Sequence, residues 1–183
     1  MLDPRAGMFC TILMAAVAAS VTAQSTWDSY RPGRLATVIE QHDSSIREGF
    51  GGAEVWSVSG NSFPTRATVE YLGDHRATNP LRRELIRRWA VFIGQPESIA
   101  EAFEQEYLFR EDGRELWLPV QRDVASFFPA ELKPGDRVTL FVAWVGAHYA
   151  GDEITWTFIV NEFDASVRLA PNSLETGGAR VKQ

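Results

Sequence analysis

Cysteine is almost absent from this sequence, which has a single one, Cys10, in 183 residues. Cys10 lies near the start of an apolar run, whereas the lipidated cysteine of a lipoprotein would follow such a run. If residues 1–23 are removed on export, the remaining chain has no cysteine at all. That processed chain has no disulfide, no thiol nucleophile and no thiolate metal site.

Histidine is also scarce, with three residues at positions 42, 75 and 148. No H-x-H or H-E-x-x-H spacing places two of them on one element, so the sequence predicts no metal site. No G-x-S-x-G elbow is present, and "GFGG" at 49–52 precedes a predicted strand, whereas a dinucleotide-binding loop follows one. We therefore expect no cofactor and assign no catalytic residue.

Basic residues are outnumbered, because 18 lysines and arginines against 24 aspartates and glutamates give a net charge of −6. Removing residues 1–23 takes away one acidic and one basic residue, so this charge does not change. A mildly acidic protein is poorly suited to nucleic acid, whose binding depends on neutralising phosphates. It is equally poorly suited to attachment to anionic lipid through basic residues. The expected partner is a protein or another envelope component.

Long hydrophobic runs are missing except at the start, where an apolar stretch from Met8 to Val21 follows Arg5. The run is shorter than the roughly 20 residues that span a bilayer. It ends at "VTA", whose small residues are typical of a signal-peptide cleavage site. We expect a signal peptide at 1–23, cleavage after Ala23 and a periplasmic or secreted protein. An uncleaved anchor and a start at Met8 remain alternatives, and no membrane span is expected after processing.

The rest of the chain is rich in strand-forming and aromatic residues, and predicts one β-rich domain at 24–163 with a mostly unordered tail at 164–183. Leu35, Val38, Ile39, His42 and Ile46 have helical spacing. Asn79 followed by Pro80 predicts the start of a second helix over 81–94. "EDGR" at 111–114 predicts a tight hairpin turn, in which carboxylates are expected to be solvated.

Two dense runs, "RVTLFVAWV" and "EITWTFIVNEF", predict a central strand and its hairpin partner. Val138, Leu140, Val142 and Trp144 are expected to pair with Ile154, Trp156, Phe158 and Val160. "GAHYAGD" between them reads as a long loop of small residues. The predicted fold is α+β: a curled antiparallel sheet or small, partly open β-barrel of about six strands with two or three flanking helices.

Seven residues are candidates for binding. Five of the six tryptophans fall at apolar positions of predicted elements and are expected in the core. Trp27 and the nearby Tyr30 lie in polar surroundings, and His148 and Tyr149 are the side chains in the predicted loop that could bind a ligand. Arg82, Arg83 and Arg87 lie on the second helix, where a solvated helix face is the expected structural role.

The sequence leaves three functions open. The leading hypothesis is an exported, non-enzymatic domain that binds a partner or an envelope component. A small hydrolase is the alternative if His148 or His75 acts as a base beside a carboxylate. A sugar-binding module using Trp27 and Tyr149 is the third. A cleft where titratable groups converge would favour the enzyme, and an exposed aromatic surface would favour a binding protein.

Overall fold

The computed structural model describes residues 27–49 and 54–166 of the chain. The predicted signal peptide and nearly all of the predicted tail lie outside these ranges. Within them the fold is α+β, as predicted, with a seven-stranded mixed sheet, four α-helices and one 3₁₀ helix. None of these helices has the length and apolar character required to cross a bilayer.

The helices and strands follow one another along the chain in broadly the predicted order. The strands are β1 (Arg31–Pro32), β2 (Val55–Val58), β3 (Thr65–Ala77), β4 (Gln105–Glu111), β5 (Arg114–Val120), β6 (Arg137–Ala150) and β7 (Glu153–Asp164). The α-helices are α1 (Leu35–Gly49), α2 (Pro80–Phe92), α3 (Arg122–Ala125) and α4 (Phe128–Glu131), and the 3₁₀ helix covers Glu97–Phe103.

The sheet is curled because β3 pairs with different strands along its two halves. Its first half pairs with β6, beginning with Thr65 opposite Val142, and its second half pairs with β4. The pairing with β4 has a register shift between Tyr71 and His75, and Gly73 within it has φ +89°. The strand continues past Gly73 to Ala77. Because β3 pairs with both β4 and β6, the pairings of β3, β4, β5, β7 and β6 form a closed circuit.

The sheet differs from the prediction in two respects. The two-residue strand β1 brings the number of strands to seven, where about six were predicted. Two pairings are parallel, β1 with β3 and β5 with β7, so the sheet is mixed and not purely antiparallel. The curl itself agrees with the prediction.

The main core fills the inside of the curl. Alternate residues of β6, from Val138 to Trp144, contribute to it together with Leu35, Val38 and Ile39 of α1. Phe128 of α4 lies in an aromatic group with Tyr71, Tyr107, Phe109 and Phe163. Burial raises the pKa of both Tyr71 and Tyr107.

Glu111 holds the beginning of α1 against the sheet. It is the last residue of β4 and is buried, although the sequence predicted a solvated charge in a turn. Its two carboxylate oxygens accept hydrogen bonds from the backbone N–H groups of Leu35 and Ala36, each at 2.9 Å. A carboxylate at this position satisfies the unpaired N–H groups of the first turn and lies at the positive end of the helix dipole.

The β6–β7 hairpin is longer than predicted and has a shifted register. Val142 and Trp144 pair with two residues of the predicted partner set, Val160 and Phe158. The hairpin turn at 151–152 places the other predicted residues opposite different partners: Leu140 faces Phe163, Ile154 faces Tyr149 and Trp156 faces Ala147. β6 continues to Ala150, so most of the predicted "GAHYAGD" loop is strand and the turn is formed by 151–152.

Candidate binding surface on α2

The helix α2 carries three of the seven predicted binding residues and covers the outer face of the sheet. Its start is as predicted, since the Asn79 side chain accepts a hydrogen bond from the backbone N–H of Leu81 at 2.8 Å and Pro80 follows it. Leu85 and Ile86 are fully buried against Ala143 and Val145 of β6 and Ile159 of β7. The remaining sides of α2 face the loops, β2 and solvent.

The Arg82 side chain is mostly buried, in contrast to the solvated helix face that the sequence predicted. Its Nη1 donates to Oε2 of Glu106 at 2.9 Å, and its Nε donates to the carbonyl oxygen of Trp156 at 3.3 Å. The Glu106 side chain is fully buried in β4, and Arg76 Nε contacts its other oxygen at 2.6 Å. Arg76 also lies over the Trp117 ring, 3.9 Å from its centroid. Arg82 therefore stabilises the fold and is not available as a surface ligand.

Arg83 and Arg87 line a cavity of about 330 Å³ between α2 and the 3₁₀ helix. Arg87 pairs with Glu84 and lies 4.0 Å from Glu97. Glu84 also accepts a hydrogen bond from Arg88, four residues later on the helix, at 2.8 Å. The cavity carries three carboxylates, those of Glu97, Glu101 and Glu104. Two guanidinium groups among three carboxylates do not form a positive site for an acidic ligand.

His148 is a buried strand residue and not the loop residue that the sequence predicted. It belongs to β6 and is only 5% exposed. Its Nε2 lies 3.0 Å from Oε1 of Glu54, whose side chain is largely exposed. The Trp56 ring of β2 covers the imidazole at 4.1 Å between centroids, and the Arg88 guanidinium lies 4.7 Å from the Trp56 centroid. His148 is thus close to a carboxylate, but it lies beneath an indole ring.

The other two histidines lie on separate elements. His42 on α1 contacts the Val38 carbonyl oxygen through Nδ1 at 2.8 Å, and its ring lies 4.3 Å from that of Trp144. His75 on β3 stacks on Tyr107 at 5.4 Å. In the part of the chain that the structure describes, no three His, Cys, Asp or Glu side chains are grouped as metal ligands would be.

The predicted aromatic binding residues do not form one site. Tyr149 is buried beside Ile46 and Ala147, on the face of β6 opposite His148. Tyr30 is also buried, and its hydroxyl accepts a hydrogen bond from Asn161 at 3.0 Å. The Trp27 ring packs on Tyr30 and on Phe141, at 5.6 and 5.3 Å. Phe141 and Tyr149 are eight residues apart on β6, which corresponds to about 25 Å along a strand. Trp27 and Tyr149 therefore lie at opposite ends of the sheet.

An exposed apolar cluster lies at the end of α2 and was not predicted from the sequence. Val91, Phe92 and Ile93 are 54%, 63% and 41% exposed. Phe92 has helical spacing with Leu85, but Leu85 is buried and Phe92 is not. A visible signal was the run "AVFI" at 90–93, since a helix that covers a sheet buries only one side and four consecutive apolar residues cannot all face it.

This cluster lies beside the end of β2. The Phe92 ring is next to Gly60, where a Cβ would be 3.6 Å from Cε1 of the ring. Among the described strands, β2 is the last of the sheet and pairs on one side only, with β6. We define the α2–β2 surface as the side chains of Trp56, Val58, Arg88, Val91, Phe92 and Ile93. It combines exposed apolar side chains, a cation held over an indole ring, and a free strand edge.

Comparison of the chain with models of known protein families, with curated proteins and with solved structures finds no match.

Proposed function

We propose that the protein is an exported, non-enzymatic binding domain that recognises a partner protein of the cell envelope through the α2–β2 surface. The observation that supports this proposal is the exposure of Val91, Phe92 and Ile93 in sequence, next to the free edge of β2. Single exposed apolar side chains are common in proteins, but contiguous ones usually belong to an interaction surface.

The energetic argument is that these side chains would gain by being covered. Complete burial of a large apolar side chain contributes about 1.5–3 kcal/mol. Because the three residues are about half exposed, covering them would contribute about 2–4 kcal/mol on the same scale. Trp56 and Arg88 are of the residue types that dominate interfaces. Arg88 is already held by Glu84, so little side-chain entropy would be lost on binding.

The free edge of β2 indicates how a partner could be oriented. An end strand offers backbone N–H and C=O groups to an extended segment of another protein. β2 is only four residues long, and short end strands limit uncontrolled pairing. The partner that fits this surface presents an apolar side to Phe92 and an extended segment to β2.

The hydrolase alternative has one observation in its favour, the contact between His148 and Glu54 at 3.0 Å. A general base must also reach the proton that it removes from a substrate. His148 is covered by Trp56 and lines none of the cavities beside α1, α2 or the 3₁₀ helix. The pair fits better as a contact that fixes β2 on β6, next to the binding surface.

Export is supported by the sequence of residues 1–23. The proposal expects a mature N-terminus at Gln24, because small residues precede the bond after Ala23. Sequencing the N-terminus of protein recovered from the envelope fraction of the producing cells tests this. A mature chain that begins at Met1 or Met8 contradicts it.

The binding proposal is tested by photo-cross-linking in the producing cells. A photoreactive amino acid replaces Phe92 in one variant and Phe127, which is 55% exposed on another part of the molecule, in the control. We expect the variant at position 92 to form one dominant adduct with an envelope protein. We expect this adduct to be lost when Val91 and Ile93 are both replaced by serine. Equal labelling at positions 92 and 127 would contradict the proposal. An adduct between two copies of the chain would contradict the envelope partner and show that the surface mediates self-association.

A further inference from the structure

The sheet separates between β5 and β7. These two strands pair at a single position, Val120 opposite Val160. From there towards their other ends, β5 pairs with β4 and β7 pairs with β6. The edges of β5 and β7 that face each other therefore form an opening in the otherwise continuous circuit of strands.

The backbone of β7 confirms the direction of this opening. The carbonyl oxygen of Val160 accepts a hydrogen bond from the N–H of Gln121 at 3.0 Å. The carbonyl oxygen of Trp156 accepts one from Arg82. Carbonyl groups two residues apart in a strand point to the same side, so those of Ile154 and Phe158 also point towards the opening. The Arg82 side chain fills the opening from the side of α2. Among the described residues, no side chain fills it in this way from the side of α1.

On the side towards α1, the opening widens into a groove of about 440 Å³. Its apolar part consists of Ile39, Ile154 and the half-buried Trp156. This volume is within the range of about 300–1,000 Å³ typical of small-molecule sites. The groove is separate from the α2–β2 surface, because Trp156 and Ile154 lie on the α1 face of β7.

The polar groups around the groove are balanced in charge. Two carboxylates, Glu40 and Asp43, and two guanidinium groups, Arg47 and Arg114, line it together with the Ser44 hydroxyl. Asp43 and Arg47 pair with each other at 2.7 Å. Among the described residues, Glu40, Ser44 and Arg114 have neither a hydrogen-bond nor an ion-pair partner through their side chains. A carboxylate acceptor, a hydroxyl group and a guanidinium donor, none of them already paired, thus surround the apolar residues of the groove.

We propose that this groove binds a neutral oligosaccharide. A sugar ring has one face of C–H groups, which fits an indole beside two isoleucines, and a rim of hydroxyl groups that both donate and accept hydrogen bonds. Carboxylate, hydroxyl and guanidinium groups provide the complementary acceptors and donors. The equal numbers of positive and negative groups favour a neutral ligand over an anion or a cation. Trp156 replaces Trp27 and Tyr149 as the aromatic residue of the sugar-binding hypothesis.

The test uses the full chain labelled with ¹⁵N and follows the indole N–H signals of its six tryptophans. The Trp156 signal is assigned from the spectrum of Trp156→Phe. The probes are cellotriose, chitotriose and maltotriose at millimolar concentration, with an uncharged tripeptide of alanine as the competing ligand class. We expect at least one of the trisaccharides to shift the Trp156 signal in a saturable way.

Two variants of polar residues at the edge of the groove test whether the sugar binds there. Neither changes the apolar residues Ile39, Ile154 and Trp156. Glu40→Ala and Arg114→Ala should each weaken binding about tenfold, the effect of losing a hydrogen bond to a charged group. The matched controls, Glu48→Ala on the same helix and Arg66→Ala on β3, should bind as the wild type does. The proposal fails if none of the three sugars shifts the Trp156 signal, if the Glu40→Ala and Arg114→Ala variants bind unchanged, or if the tripeptide binds more tightly than every sugar.

Discussion

Replacing Arg82 with methionine is the perturbation that most directly tests how the outer face of the sheet is held together. Methionine keeps an apolar stem of similar length but removes the guanidinium group. Glu106, which has no exposed side-chain surface, would then keep only Arg76 as a cationic partner. The carbonyl oxygen of Trp156 would lose its donor at the same time.

The size of the expected destabilisation follows from the burial of the Arg82–Glu106 ion pair. Breaking a buried ion pair by removing one partner costs about 3–5 kcal/mol. Arg76 remains 2.6 Å from Glu106 and partly compensates the charge, so we expect the loss of Arg82 to lower the free energy of unfolding by about 2–3 kcal/mol. Arg76→Met should cost less, about 1–2 kcal/mol, because the Arg76 side chain is about half exposed and its contact with Trp117 is on the surface.

The assay is urea unfolding followed by tryptophan fluorescence and circular dichroism, applied to a double-mutant cycle of Arg82→Met and Glu106→Gln. We expect a coupling energy of about 2 kcal/mol between the two positions. The matched control is the exposed pair Arg122 and Glu104, which are 3.0 Å apart and should couple by less than about 1 kcal/mol. Additive effects of Arg82→Met and Glu106→Gln, within about 0.5 kcal/mol, would refute the internal role of Arg82.

Three further predictions concern other parts of the fold. Gly146→Ala should lower the free energy of unfolding by more than about 2 kcal/mol in urea unfolding, because a Cβ there would lie 2.1 Å from a backbone oxygen of β2. Glu111→Gln should cost about 1–2 kcal/mol by weakening the cap of α1, whereas the exposed Glu115→Gln should change stability by less than about 0.5 kcal/mol. Burial raises the pKa of Tyr71 and Tyr107, so the neutral forms favour the folded state. Their contribution should be complete below a pH of about 10 and lost as the pH rises through the folded pKa values, which stability measured against alkaline pH checks.

The sequence correctly predicted those helix ends and turns that are determined by residues adjacent in the chain. Asn79 and Pro80 begin α2 through contacts within one helical turn. Asp112 and Gly113 form the β4–β5 turn with positive φ angles of 48° and 84°, the conformation for which this residue pair is known. Both predictions depended on residues that lie next to each other in the chain.

The errors have causes that lie far apart in the chain. Gly146 resembled a loop residue, but it is a glycine in β6 because the backbone of β2 passes too close for a side chain. Glu111 was expected to be a solvated charge, and both Glu111 and Glu106 are buried with partners that lie 24 residues or more away in sequence. Alternation and spacing of residues in a sequence do not show which distant residues will pair. The buried ion pair and the buried helix cap could therefore not be predicted from these patterns alone.

The candidate binding surface was missed for a similar reason. The number of apolar residues at the end of α2 was visible in the sequence, but which of them face the sheet depends on where α2 crosses β6 and β7. Arg82, Arg83 and Arg87 were correctly placed on one helix, yet their neighbours give them three different environments. The groove beside Trp156 arises where β5 and β7 separate, a feature of topology that has no local signature.

The central claim, that the α2–β2 surface binds a partner protein, is tested most directly by the size of the native particle that contains this chain. Protein extracted from the envelope of the producing cells is separated by size for the wild type, for Phe92→Glu and for Phe127→Glu. The account predicts that the wild type and Phe127→Glu elute in a complex and that Phe92→Glu elutes as the free chain with the same circular dichroism spectrum. Elution of all three proteins at the same size would contradict it.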